Sequence, residues 1–150
     1  MEKLVFDSGV REYQINDNGV LRFNPSDPNV YARFFDAADE IKAVEADIVE
    51  KGKSIDADHD TGESVIRLME EADRTVKNIL TKVFGEPNDF DQILGGVNLL
   101  AVASNGERVI TNFLNALLPV IQEGAERCAK EHVGVAVQQA KLNRAQRRAQ

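Results

Sequence analysis

Cysteine is almost missing from this chain: Cys128 is the single one in 150 residues. That excludes an internal disulfide framework and suits a reducing compartment. Histidine is nearly as scarce, with only His59 and His132, which leaves little material for nucleophilic catalysis or a transition-metal centre. No stretch approaches the roughly 20 apolar residues of a membrane span, and the first residues, Met1 to Asp7, lack the long apolar run of a signal peptide. The expectation is a cytoplasmic protein with no membrane partner. One further absence is local. After Glu131 there is no acidic residue, while Lys141, Arg144, Arg147 and Arg148 give the last stretch +4; the chain totals −7, so residues 1–131 carry −11.

What is present is ordinary for a single soluble domain, with 43% apolar and 29% charged residues. A pI near 4.9 argues against non-specific binding of nucleic acid, because the acidic body repels phosphate. An acidic body with a short basic end fits a protein that handles other proteins.

Patterning predicts a mostly α, α+β fold: an N-terminal antiparallel meander of two or three strands packed on about four helices. Leu4 and Phe6, Tyr13 and Ile15, and Leu21 and Phe23 alternate within residues 3–24, separated by turn signals at Asp7-Ser8-Gly9 and Asn16-Asp17-Asn18-Gly19. So few strands need helices to cover their apolar face. A first helix over 28–51 starts at an Asp27 cap with Pro28 in the first turn. Val30, Phe34, Ala37, Ile41, Val44 and Ile48 follow at spacings of 4, 3, 4, 3 and 4, ended by Gly52. This seam reads either as core or as a partner surface, and Tyr31 and Phe35 widen it as candidate partner-binding residues. A second helix over 62–84 is capped by Asp60, with Val65, Leu68, Met69, Ala72, Val76, Ile79, Leu80 and Val83 on its apolar face. A short helix over 87–94 turns Phe90, Ile93 and Leu94 inward and stops at Gly95-Gly96. Residues 97–103 fit a helix or buried extended chain equally. The last helix, 107–131, buries Ile110, Phe113, Leu114, Leu117, Leu118 and Ile121 and should kink at Pro119. The single globular domain is expected to span 1–140, followed by a basic tail over 141–150.

No constellation carries chemistry. Counted as a calcium loop from Asp56, position 6 is Thr61 in place of glycine and position 12 is Arg67 in place of a bidentate glutamate, so no metal site is expected. Cys128 and His132 share a helical face at i, i+4, yet Cys128 reads as a small apolar residue. Gly95-Gly96 lacks the Lys-Ser or Lys-Thr of a phosphate loop. Glu70-Glu71 is a solvated face. Neither an enzyme nor a cofactor is expected. The basic tail allows three readings: a helix end answering its own dipole, an arm docking on an acidic partner, or an RNA-contacting arm, against which stands the lack of interleaved aromatics.

Several segments occur together in a familiar order. Phe23-Asn24-Pro25-Ser26-Asp27-Pro28-Asn29-Val30-Tyr31-Ala32-Arg33-Phe34 follows the strands. Val83-Phe84-Gly85-Glu86 and Ile93-Leu94-Gly95-Gly96-Val97-Asn98 come next, then an apolar helix and Asn143-Arg144-Ala145-Gln146-Arg147-Arg148. In this layout, over most of its length, the chain resembles the small tail assembly chaperones of long-tailed phages and prophages of Gram-positive bacteria. Only the acidic loop, 53–61, matches no part of the pattern. The resemblance implies a non-enzymatic protein of the host cytoplasm, absent from the mature virion, that keeps the helical tape-measure protein soluble and helps tail-tube protein polymerise around it. Some families also make a longer form by ribosomal frameshifting. Candidate partner-binding residues are then Tyr31, Phe35, Arg144, Arg147 and Arg148, with a tape-measure groove expected between the first helix and the helix carrying Pro119. A homo-oligomer is compatible with this reading. Alternatives are a virion structural or tail completion subunit that self-assembles, and a small adaptor binding a host protein.

Overall fold

The computed structural model describes residues 1–55 and 62–149. A two-stranded antiparallel hairpin, β1 (Arg11–Gln14) and β2 (Val20–Phe23), leads into four helices: α1 (Pro28–Lys53), α2 (Glu63–Phe84), α3 (Phe90–Ile93) and α4 (Val109–Ala149). The fold is thus mostly helical, with the small sheet packed on the helices.

Hairpin register pairs Arg11 with Phe23 and Tyr13 with Leu21. This turns Leu21 and Phe23, 0% and 3% exposed, onto the core. Tyr13 stacks on Phe23 at 5.2 Å, and Phe23 meets Phe84 edge-on at 4.9 Å. At the turn, the positive φ belongs to Asn16 rather than to Gly19. Gly19 is needed for close approach instead: a Cβ there would lie 2.7 Å from the Cα of Ile93, whose carbonyl accepts the Gly19 N–H.

The third strand does not form. Residues 1–10 hold no regular structure, and Leu4, Val5 and Phe6 stand exposed. Gly9 adopts φ +77°, its N–H donates to Asp7 Oδ1, and Asn24 Nδ2 donates to the Ser8 carbonyl. These bonds hold the chain against Asn24 and leave residues 1–6 beyond the end of the hairpin.

Asp27 caps α1 by accepting the Asn29 N–H, as its sequence position predicts. Val30, Phe34, Ala37, Ile41 and Ile48 are all buried, so this seam is core; it packs chiefly on α2 and also meets α4. The helix runs through Gly52 to Lys53 and ends at Ser54. The predicted Asp60 cap and residues 56–61 of the acidic loop lie outside the described residues, and the α2 N-cap position is Gly62. Ala72, Val76, Ile79, Leu80 and Val83 are buried, whereas Val65 at the helix start is exposed.

Asp89 caps the single turn of α3. The ambiguous 97–103 segment is neither helix nor strand. It is turns that bury Leu99 and Leu100 completely, closed by an isolated bridge between Val102 and Arg108. Side-chain bonds pin it to α2: Asp73 Oδ1 accepts the Leu99 N–H at 2.8 Å, and Asn98 Nδ2 donates to the Met69 carbonyl.

The largest departure from sequence expectation is α4. It continues through Pro119, whose ring lies on the exposed side, and absorbs the whole of the predicted tail up to Ala149. Leu118, expected in the core, faces outward at 39% exposure, while Ile110, Phe113, Leu117 and Ile121 are buried. The helix reaches the β2–α1 link at Gly124. A Cβ there would be 2.7 Å from the Pro25 carbonyl carbon and closer still to the Pro25 carbonyl oxygen and the Tyr31 hydroxyl. Gly to Ala inside a helix ordinarily stabilises by about 0.5–1 kcal/mol. Here overpacking, about 1–3 kcal/mol, reverses the sign. Gly124→Ala should lower the melting temperature, whereas Gly52→Ala, with open space around the new Cβ, should leave it unchanged or raise it. Thermal melts of both variants by circular dichroism check this.

Candidate protein-interaction surfaces

Two surfaces stand out. The first is a groove of about 730 Å3 between the hairpin turn, the 94–103 segment and the first half of α4. Its floor is built by Tyr13, Ile15, Leu94, Phe113, Leu117 and Val120, and Asn16, Asn18 and Asn112 supply polar groups at its margin. None of its lining residues is charged, in a chain that is 29% charged. This groove opens between the hairpin and α4, whereas the tape-measure groove was expected between α1 and α4. The reason is packing: the α1 seam is consumed by α2 and α4, while the short hairpin leaves the apolar side of α4 partly uncovered.

The second surface is the far half of α4. Every described side chain from Ala129 to Arg148 is exposed. At 1.5 Å per residue these 20 positions span about 30 Å of helix. Val133 and Leu142 are exposed at 63% and 58%. Lys141, Arg144 and Arg148 follow at spacings of three and four and so form one basic stripe. Arg147 and Arg148 occupy the last turn, where the helix dipole favours cations by about 0.3–1 kcal/mol each. The dipole-answering reading of the basic residues thus has its geometry. In place of a basic tail set apart from the last helix, residues 141–149 continue α4 as a helical arm.

The structure separates the five sequence-derived contact residues. Arg144, Arg147 and Arg148 lie on the arm, exposed. Phe35 is 63% exposed beside the buried Phe34, ring centroids 6.3 Å apart. Tyr31 is only 7% exposed and points at α4, so it presents no surface. Burial pushes its hydroxyl pKa above the usual tyrosine value, and that hydroxyl has no hydrogen-bond partner among the described residues. A buried hydroxyl without a partner contributes nothing to stability and costs desolvation. Tyr31→Phe should therefore leave the melting temperature equal or higher, which a thermal melt decides.

Sequence reading missed Asn88, a 5% exposed residue whose amide completes the sheet. Its Oδ1 accepts the Arg22 N–H at 2.8 Å and its Nδ2 donates to the Arg22 carbonyl at 2.9 Å. The Glu86-Pro87-Asn88 turn carries no signal that its side chain reaches a strand 66 residues away.

The Cys128–His132 pair does meet, Sγ to Nδ1 at 3.7 Å, but His132 Nδ1 also lies 2.9 Å from the Cys128 carbonyl. A proton on Nδ1 serves that carbonyl, which leaves Nδ1 unable to take one from the thiol. No carboxylate orients the ring among the described residues, as a nucleophile–base pair requires. No metal-binding cluster of histidine, cysteine or acidic residues occurs among the described residues, and no helix there is long and apolar enough to cross a membrane. Compared with family models, curated proteins and solved structures, the chain matches none.

Proposed function

We propose that this protein is a phage tail assembly chaperone that holds helical segments of a tape-measure protein along the α4 arm. The observation that carries the reading is the arm itself: about 30 Å of helix with every described side chain in solvent. A helix of this length gains little from propensity alone and draws most of its stability from packing an apolar face. Gly134 in its interior weakens it further, by about 1 kcal/mol relative to alanine. A partner helix laid along the arm supplies the missing packing, in the helix-on-helix mode by which amphipathic segments are recognised. The basic stripe then meets acidic positions on that partner, and the −11 of the remainder keeps the complex soluble. The order of motifs shared with tail assembly chaperones supports the same assignment and extends it to tail-tube assembly in the host cytoplasm.

The test is co-expression with the tape-measure gene of the same phage or prophage, followed by purification of the complex. Deleting residues 142–150 should leave the body's melting temperature within about 2 °C, because every described side chain in that segment is exposed. The same deletion should weaken tape-measure binding, and by more at low salt, where charge acts over a longer range. Unfolding on truncation would overturn the arm as a docking element. Abundant peptides of this chain in purified virions would overturn the chaperone assignment in favour of a structural subunit.

A further inference from the structure

We propose that the outer edge of β1, with the uncharged groove beside it, receives residues 4–6 of a second copy of this chain, so that a third strand forms between molecules.

The two edges of the sheet are not equivalent. On the β2 side, Asn88 takes both the N–H and the carbonyl of Arg22, and Ile93 takes the N–H of Gly19. That edge is closed. Because the backbone polar groups of Arg22 point outward, the Glu12↔Arg22 pair is a non-hydrogen-bonded position of the ladder. The alternation of an antiparallel pair then points the N–H and carbonyl of Glu12, and of Gln14 two residues on, to the outer side of β1. Among the described residues no hydrogen bond from outside the hairpin reaches either backbone. A row of unpaired groups of this kind is a template for strand addition.

The groove specifies what the added strand must carry. Tyr13, Gln14 and Ile15 belong both to the open edge and to the groove wall, and the lining has no charge. Its occupant is therefore apolar and uncharged. Leu4, Val5 and Phe6, exposed at 89%, 82% and 80%, are the one run of three consecutive large apolar side chains left in solvent among the described residues. In an extended strand Leu4 and Phe6 fall on one face and enter the groove together, while Lys3 and Asp7 bracket the segment and stay in water. A molecule's own segment is held at the far end of the hairpin by the Asp7, Ser8 and Asn24 bonds, opposite the Asn16 to Gly19 turn that borders the groove. A second copy's segment is held in the same way to its own hairpin, and so can approach this edge from outside. Reciprocal exchange gives a closed two-fold dimer with two such contacts.

Sedimentation equilibrium of the full chain across about 1–100 μM should show a reversible monomer–dimer equilibrium. Phe6→Asp, placed where the side chain is solvated in the monomer, should raise the dimer dissociation constant about ten-fold or more without altering the melting curve of the dilute protein. A second experiment fixes the geometry in a Cys128→Ser background. Mixing a Phe6→Cys chain with a Val97→Cys chain under mild oxidation should give the mixed disulfide in preference to either homodimer. A wild-type chain that stays monomeric throughout, Phe6→Asp dimerising as well as wild type, or no preference for the mixed disulfide would each overturn the proposal. So would a chain carrying both cysteines that cross-links only within itself, because the strand would then form within one molecule.

Discussion

Phe34→Asp should abolish the cooperative melting transition. Phe34 is 7% exposed in the middle of the α1 seam and belongs to the core cluster that joins the four helices to the hairpin. Truncating a buried phenylalanine costs about 3–5 kcal/mol. The aspartate adds an uncompensated charge, which burial penalises by a further several kcal/mol or forces to protonate. Against a total stability of about 5–15 kcal/mol, the sum leaves little or no folded protein at 25 °C. Far-ultraviolet circular dichroism on heating measures it directly. A variant that melts like the wild type but fails to bind tape-measure fragment would instead place this seam on a partner surface.

Asp73→Ala should be nearly as damaging, although Asp73 looks in the sequence like one more surface acid on α2. Its carboxylate is 15% exposed and bridges two elements: Oδ2 accepts from Lys77 Nζ at 2.8 Å and Oδ1 from the Leu99 N–H at 2.8 Å. Lys77 is the one buried cation among the described residues, its side chain 9% exposed, and its other anion is Asp91 at 2.6 Å, itself 74% exposed. Removing Asp73 leaves Lys77 with one solvent-screened partner and leaves the Leu99 N–H with none. Breaking a buried ion pair from one side costs about 3–5 kcal/mol, and an orphaned buried N–H about 1–3. A melting temperature lower by roughly 10 °C or more is expected for a chain of this length. Asp73→Asn, which keeps an acceptor for Leu99, should lose less.

The same network fixes a pH signature. Burial works to lower the Lys77 pKa, but the hydrogen bonds to Asp73 and Asp91 and the charges of both carboxylates together outweigh it, and the pKa stands above the ordinary 10.5. A cation whose pKa is raised by folding contributes its stabilisation in full below the unfolded value and loses it as pH rises through the folded value. The Asp73→Ala deficit should therefore be constant between about pH 6 and 9 and shrink only above the ordinary lysine range. Denaturant melts of both proteins at pH 6, 9 and 11 would show it.

The sequence by itself determined the first two helices and the class of the fold. The seam from Val30 to Ile48 repeats at helical spacing over nearly three heptads, so any partner it meets must lie along one face. The Asp27 cap and the inward face of β2 are likewise local effects, and the structure reproduces them. Tertiary structure decided everything that depends on which face meets which. Tyr31 and Phe35 flank the same seam and are indistinguishable by period, yet Tyr31 points at α4 and Phe35 at water. The alternation of Leu4 and Phe6 equals that of Leu21 and Phe23, but strand formation depends on a free edge within reach, and Asn88 closes one while Asn24 holds the chain away from the other. Whether the residues from Lys141 onward were a tail or a helix end could not follow from their charge, because cations suit both; continuity with α4 made residues 141–149 the end of an arm. Gly124 carries no turn or stop signal and serves only to let Pro25 and Tyr31 approach a helix, a requirement created by residues about a hundred positions away in the chain. Periodicity reports the environment of a segment along its own axis; the identity of its neighbours is a property of the packed whole.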